Sequence, residues 1–259
     1  MRDKKIPTKT KSRKRRGNSR YFVFFLLILM GLTALGFGSY RLLANLDWLN
    51  VRKLEISGNS AVADSLLRGA LQPYLGQNLL KLDQAEIKAQ VSGFARVKSV
   101  KVKRKLFNTL LVKITERKPT LYVKSLEGDL HPVDEEGIVL EHYGGVYTEN
   151  LPLVNLLVHN ADLHSGQKLS NASLDKVLAT HRRILGEAPD FAPNISEYYT
   201  IDNTVYIIDA RNGLRLIPSE KNLARQLSRY EFVRDNGNVN QSSILDLRTD
   251  NQVVVRAGG

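Results

Sequence analysis

The sequence predicts an α+β protein with a single N-terminal transmembrane helix, a β-α-α-β-β module and then a mainly antiparallel β domain with flanking helices. The stretch that precedes the module carries no charged side chain from residue 21 to residue 40. In the module, apolar residues recur first at strand spacing, then at helical spacing and then at strand spacing again. In the rest of the chain, short segments of alternating apolar and polar residues dominate. We divide the chain into a basic cytoplasmic tail (1–20), the membrane helix (21–43), the module (48–118) and the β domain (119–256).

The first twenty residues hold most of the net charge. The whole chain carries +12, and the tail supplies ten Lys or Arg against one Asp, which leaves 28 of 38 basic and 25 of 26 acidic side chains for the rest. A nucleic-acid-binding domain would concentrate basic residues on a folded face, so we predict no nucleic-acid partner. The tail instead places the N-terminus in the cytoplasm; contact of the tail with nucleic acid or anionic lipid is the alternative.

The uncharged stretch fits a membrane span. A bilayer core of about 30 Å needs about 20 helical residues, and Tyr21 and Tyr40 lie at the two ends, where aromatic rings favour the headgroup region. A cleaved signal peptide is the alternative, but its apolar core usually runs only about 7–15 residues. We predict a single-pass inner-membrane protein with lipid contact through this helix and periplasmic C-terminal domains. With no cysteine, those domains fold without disulfides.

Within the module, residues 51–56 alternate as a strand does, and apolar residues between 62 and 71 recur at helical spacing. Asp83 and Glu86 have the spacing of a capping box at the start of a second helix. Residues 96–119 alternate apolar and basic side chains on both sides of a turn, which is typical of a hairpin with one solvated face.

The β domain follows Pro119. The predicted strands lie in "TLYVK", "DLHPVDEEGIVL", "LPLVNL", "SEYYTID", "TVYIIDA", "GLRLIP", "SSILDLR" and "QVVVR". Two helices interrupt them, at about 171–187 and about 220–234, and Ser219 is placed to cap the second.

Two groups of residues contain side chains typical of catalytic or metal sites. In "HPVDEEGIVLEH" His131 and His142 are eleven residues apart, which does not match metal-ligand spacing and favours a solvated acidic turn. Ser173 and Lys176 match Ser-x-x-Lys, but the companion motifs of that enzyme class are missing, so a helix start is favoured. We predict no catalytic or metal site, no cofactor and no small-molecule substrate. A membrane-anchored cell-wall hydrolase using His131, His142 or Ser173 is the alternative.

The chain ends in a hairpin, "SILDLRTDNQVVVRAGG". A strand near a terminus often lies at a sheet edge, where its unpaired N–H and C=O groups can accept a strand from a partner. An ordinary closing hairpin without a partner fits the residues equally well.

The layout resembles the FtsQ/DivIB family of bacterial division proteins, and the module resembles a POTRA domain. The resemblance is carried by "VRKLEISGNS", "LGQNLLKLD", "VKSVKVKRKLFNTLLVKITERKPTLYV", "VDEEGIVL", "NLARQLSRYEF" and "ILDLRTDNQVVVR", and it runs from about residue 20 to the end. A POTRA-bearing export component is another alternative, against which the missing further POTRA repeats argue.

The resemblance implies a non-enzymatic protein of the division septum that binds an FtsB- and FtsL-like pair, and meets other divisome members. It implies that the partner adds a strand to the C-terminal edge and that Arg248 pairs with an acidic partner residue. The implied partner site comprises Asp246, Leu247, Arg248, Thr249, Val253, Val254 and Val255. Thr249 stands where some relatives have an aromatic residue. Gly58, Asn59 and Ser60 are candidate contacts on the POTRA module.

Overall fold

The structure is a computed structural model that describes residues 19–43, 46–105, 108–141 and 150–257. Helix α1, Ser19–Leu43, contains the apolar stretch, which has a mean hydropathy of 2.2. Within the described residues it is the one helix long and apolar enough to cross a membrane. Most of the predicted basic tail lies outside the described residues.

The module has the predicted order of strands and helices. Its elements are β1 (Lys53–Ser57), α2 (Asp64–Leu71), α3 (Gln84–Ser92), β2 (Val97–Lys105) and β3 (Thr109–Glu116). The strands form a sheet in the order β1-β3-β2, with β1 parallel and β2 antiparallel to β3. The predicted hairpin is β2 with β3, and the strand that precedes the helices closes the other side of β3.

Alternation along β3 divides this sheet into two faces. Leu110, Val112 and Ile114 are buried against the two helices, whereas Lys113 and Thr115 point to solvent. The Asp83 half of the predicted capping box is present, since Asp83 Oδ1 accepts a hydrogen bond from the N–H of Ala85 at 2.7 Å. Glu86 instead accepts a hydrogen bond from the hydroxyl of Tyr74 at 3.3 Å. One apolar face covered by helices therefore holds the module together.

The C-terminal domain is built on an eight-stranded sheet. Its strands are β4 (Leu121–Lys124), β5 (Leu130–Val133), β6 (Leu153–Asn155), β7 (Ile195–Ile201), β8 (Thr204–Asp209), β9 (Arg215–Ile217), β10 (Ile244–Asp246) and β11 (Val254–Arg256). The sheet order is β11-β10-β9-β8-β7-β6-β4-β5. Helices α4 (Ala172–Glu187) and α5 (Leu223–Asn236) bury their apolar faces in the same core as the strands.

Four strand pairs of this sheet are antiparallel and three are parallel. The predicted α+β class is confirmed, but the sequence analysis did not identify the parallel pairs. Two of them follow from the helices: α4 lies between β6 and β7, and α5 lies between β9 and β10. A helix between two strands carries the chain back to the same end of the sheet, which makes neighbouring strands parallel.

The predicted cap of α5 is wrong. The helix begins at Leu223 rather than 220. Asn222 occupies the N-cap position, and its φ of +51° is left-handed. The buried Ser219 instead bonds locally, since its hydroxyl donates to the carbonyl of Lys221 and accepts from the N–H of the same residue. Because the hydroxyl of Ser219 is used in this local turn, it does not cap the helix, and the helix starts three residues later than predicted.

The acidic turn after β5 is less solvated than predicted. Asp134 is only 2% exposed, and its Oδ2 lies 2.5 Å from the guanidinium of Arg117. The same guanidinium lies 2.6 Å from Glu136, and Lys98 of β2 lies 2.8 Å from Glu135. The turn therefore joins the POTRA-like module to the β domain.

Candidate partner-binding edge

Strand β11 lies at one end of the eight-stranded sheet. It pairs antiparallel with β10, with Leu245 opposite Val255 and Asp246 opposite Val254. On its other side no strand pairs with it in the described part of the chain. The terminal hairpin thus has an edge strand, which is the geometry that strand addition requires.

The backbone groups that face this edge can be assigned from one hydrogen bond. Neighbouring residues of a strand point their N–H groups to opposite sides. The N–H of Leu247 donates to the carbonyl of Ile217 in β9 at 3.0 Å, so the N–H of Asp246 points toward β11. Val254, opposite Asp246, therefore bonds back to β10. Val255, the next residue, directs its N–H and C=O toward the free edge.

The two faces of the hairpin differ in chemistry. Leu245 and Leu247 are fully buried in the core, and Val253 packs against the same cluster. Val255 lies on this apolar face and remains 51% exposed at its rim. On the opposite face lies Asp246, a carboxylate that is only 2% exposed.

Two arginines hold the buried carboxylate. Arg248 makes two bonds to Asp246, Nε to Oδ1 at 2.9 Å and Nη2 to Oδ2 at 2.7 Å. Arg256 of β11 adds a third, Nη2 to Oδ2 at 2.6 Å. The hydrogen bonds from Arg248 keep the pKa of Asp246 below its usual value, although burial opposes this. The carboxylate is therefore charged at neutral pH and ties the last strand to its neighbour.

This arrangement changes what Arg248 can do. Its side chain is 45% exposed, but two of its five N–H donors are already used by Asp246. The side chain also lines a cleft of about 280 Å³ together with residues of α4 and the end of β9. Arg248 is thus an internal clamp that stays partly exposed.

Helix α5 supports the turn between β10 and β11. The side-chain amide of Gln226, 1% exposed, donates to the carbonyl of Thr249 at 2.8 Å. Arg229 donates to Asn251 at 2.9 Å. Between the helix and the turn runs a groove of about 540 Å³, beside which Phe232 is 68% exposed.

Four residues at this edge were not predicted from the sequence: Gln226, Arg229, Phe232 and Arg256. The first three lie on α5, where Gln226 is buried and Phe232 is exposed, and Arg256 ends β11. Neither setting has a local pattern that marks function. For Phe232, an apolar residue off the buried stripe of α5 was the only available signal.

The three candidate contacts on the POTRA-like module follow β1 in the loop toward α2, far along the chain from β11. Gly58 has φ +87°, and a Cβ there would lie 2.1 Å from the carbonyl oxygen of Ile114, so any side chain would clash. Asn59 donates to the carbonyl of Val62 at 3.3 Å. Gly58 and Ser60 are exposed, and Asn59 is half-buried. Their role in partner contact stays a prediction.

The catalytic alternatives lack a shared geometry in the described residues. Ser173 lies at the start of α4 as predicted, although Asn171 is the capping residue. Its hydroxyl accepts a hydrogen bond from Thr200 at 2.9 Å, whereas Lys176 donates to the carbonyl of Asn203. His131 bonds to an asparagine side chain.

The other histidine of that alternative, His142, lies outside the described residues. Among the residues that the structure describes, no three His, Cys, Asp or Glu side chains are grouped to hold a metal ion.

Comparison with known proteins gives one domain family. Residues 49–117 match the family model described as "POTRA domain, FtsQ-type". These residues include all three strands and both helices of the module.

Individual proteins with similar sequences are also cell division proteins. The chain is 35% identical to the cell division protein FtsQ of Caulobacter vibrioides over 40% of this chain and 34% of that one. It is 32% identical to FtsQ of Mycobacteroides abscessus over 44% and 36%. The chain is 22% identical to FtsQ of Novosphingobium aromaticivorans, and this alignment covers 92% of this chain and 70% of that one. The chain spans about a third of the first two relatives.

Proposed function

We propose that this chain is a member of the FtsQ/DivIB family of cell division proteins and acts as a non-enzymatic, single-pass scaffold of the division septum. Its N-terminus lies in the cytoplasm and its two folded domains lie in the periplasm. Its task is to hold and recruit other divisome proteins. The partner bound at β11 is an FtsB- and FtsL-like pair.

A single observation carries the partner proposal. The outward N–H and C=O of Val255 lie at the free edge of a sheet whose other seven strands brace it. An added strand would bond to these groups and extend the sheet to nine strands. The two arginines on Asp246 hold the edge in place before the partner arrives.

The chemistry of the two faces defines the partner strand. On one face the exposed rim of Val255 continues from Val253, which lines the groove beside Phe232. On the other face Arg248 and Arg256 share one carboxylate, which leaves one unbalanced positive charge. A strand that alternates apolar and acidic residues fits both faces.

Backbone bonding should supply more of the affinity than the ion pair. An exposed ion pair is worth about 0–1 kcal/mol, whereas each new backbone hydrogen bond contributes about 0.5–1.5 kcal/mol. The outward N–H and C=O of Val255 offer two such bonds to an added strand. The partner is therefore held by its backbone and selected by its side chains.

Val255→Pro tests the proposal because it removes the outward N–H and leaves the bonds of Val254 to β10 in place. Proline is tolerated on edge strands where the N–H faces outward. With full-length protein co-expressed with the FtsB- and FtsL-like pair of its host, we expect recovery of the pair to fall about tenfold. Val255→Thr keeps the N–H and the branched shape and should retain binding. Equal recovery for both variants, with unchanged melting temperatures, would refute strand addition at β11.

A photo-crosslinker gives an independent test in cells. Placed at Val254 or Thr249, it should capture a small coiled-coil membrane protein. Placed at Leu130 in β5, at the opposite edge of the same sheet, it should not. Capture of lipid alone, or the same products from both edges, would count against the proposed site.

A further inference from the structure

The solvated face of the POTRA sheet is strongly basic. Strand alternation brings five lysines and one glutamate to this face: Lys53, Glu55, Lys101, Lys103, Lys105 and Lys113. We call this set the lysine face. Its lysines are all exposed, and the two helices of the module cover the other side of the sheet.

Strand register brings these side chains close together. Lys53 and Lys105 flank Thr109 in one row, and Glu55 and Lys103 flank Leu111 in the next. Glu55 lies 2.9 Å from Lys53 and 3.4 Å from Lys105. One acid thus partly offsets five bases, which leaves a concentrated positive field on a flat surface.

The lysine face lies beside the end of the membrane helix. The side-chain amide of Asn78 donates to the carbonyls of Leu43, the last residue of α1, and Leu46. The N–H groups of Arg52 and Lys53 both donate to the carbonyl of Asn108, between β2 and β3. The row that contains Lys53 and Lys105 is therefore at the end of the sheet that receives the chain from α1.

We propose that the lysine face docks on the anionic phospholipid headgroups of the membrane in which α1 is anchored. The inference rests on the membrane anchoring proposed above and uses a surface separate from β11. Nine residues, 44–52, separate the end of α1 from β1, so Lys53 stays within about 35 Å of the last residue of α1 even with this linker fully extended. Docking would set the height and tilt of the POTRA domain above the membrane.

The chemistry suits a headgroup layer. Each lysine close to an anionic membrane adds a modest attraction, and this attraction fades beyond a Debye length of about 8 Å at physiological salt. Lysine stems also pack on apolar surface while their charged ends reach out, and Leu111 supplies a half-buried apolar centre to the face. Several weak contacts at short range would make docking reversible and sensitive to salt.

The test uses full-length protein in lipid nanodiscs. The natural chain has no cysteine, so Ser57→Cys on the same face carries a single dye, and nitroxide-headgroup lipids quench it by contact. With about one third anionic phospholipid we expect roughly threefold more quenching than in zwitterionic discs, and loss of the excess at about 1 M salt.

Charge reversal with a matched control separates the face from net charge. Lys101→Glu/Lys103→Glu should abolish the excess quenching. Lys88→Glu/Lys221→Glu makes the same charge change at exposed residues of α3 and the β domain, and should leave the excess in place.

Three results would overturn the docking proposal. One is equal quenching in both kinds of disc. Another is an excess lost equally in both double variants. The third is an excess that persists unchanged at about 1 M salt, because contact through the charged headgroups should be screened. Failure of the chain to stay with the discs would refute the membrane anchoring as well, whereas stable insertion without excess quenching refutes docking alone.

Discussion

At the scale of single residues, the same device closes two strands of the β domain. Asp209 ends β8 and is held by Arg211, and Asp246 ends β10 and is held by Arg248. Burial opposes the charge on Asp209, but hydrogen bonds from Arg211 and Tyr230 outweigh it and keep its pKa low. The spacing Asp-x-Arg was visible in the sequence, yet burial of the carboxylate was not, because it depends on packing by distant elements.

Asp246→Asn should loosen the terminal hairpin. The neutral amide leaves two arginines without their shared counter-ion, and we expect the free energy of unfolding to fall by about 1–3 kcal/mol. Chemical denaturation measures this. Asp250→Asn, at an exposed residue of the same turn, should change stability by less than about 0.5 kcal/mol. A loss of equal size in both variants would contradict the clamp.

Arg248→Gln separates the clamp from partner contact better than Arg248→Glu, which would set a second carboxylate beside Asp246. We expect the Gln variant to weaken partner binding by about 0.2–1 kcal/mol, the contribution of one exposed ion pair. Titration of the purified partner pair against the full-length variant measures it. Unchanged affinity, with Val255→Pro still defective, would assign Arg248 to folding alone.

His181 makes stability depend on pH. It lies in the core against Tyr198, with Nδ1 2.8 Å from the hydroxyl, and burial lowers its pKa to about 4. The unfolded chain binds a proton below about pH 6.5, whereas the folded chain does not until about pH 4. Stability should therefore be full above pH 6.5 and fall by roughly 3 kcal/mol toward pH 4.

Denaturation of His181→Gln against pH checks this, because the variant should lose this slope. His164→Gln, at an exposed site, should keep the slope of the natural protein. The same slope in all three proteins would show that other groups cause it.

At the scale of elements, the sequence predicted where strands and helices lie along the chain better than which strands pair in the sheet. Alternation in "VKSVKVK" and "TLLVKIT" depends on local burial, so the hairpin of β2 and β3 was readable. Pairing of β10 with β9 depends on how α5 returns the chain, which no local pattern encodes. The terminal strand was identified, but its outward groups at Val255 became assignable only with the register.

That assignment makes a prediction for single amides. The Val255 N–H faces solvent in the free protein, whereas the Val254 N–H bonds to β10. Hydrogen exchange followed by NMR should show Val255 exchanging at least about tenfold faster than Val254. The reverse order would mean that the edge presents the other backbone groups and that Val254 is the residue to block.

At the scale of the whole molecule, the acidic turn after β5 couples the two folded domains. Arg117 bonds to Asp134 and Glu136, and Lys98 bonds to Glu135. The sequence pattern predicted a solvated turn here, because the basic partners of these acids lie in the other domain and no local pattern reveals them. A lysine face held at the membrane and a rigid junction would together fix where β11 stands above the bilayer.

Arg117→Gln should loosen this junction. With spin labels at Ser92→Cys in α3 and Ala172→Cys in α4, we expect a broader distance distribution than in the natural sequence. Lys113→Gln removes a charge from the solvated face of the module and should not broaden it. An unchanged distribution for Arg117→Gln would show that other contacts set the domain orientation.

The most direct test of the central claim is cell length in the host after depletion of this protein. Depletion should give long filaments with segregated nucleoids and no septa. Full-length natural protein and Val255→Thr should restore normal length, whereas Val255→Pro at equal abundance should not. Normal division after depletion would contradict the division role. Filaments rescued by Val255→Pro would keep that role and contradict strand addition at β11.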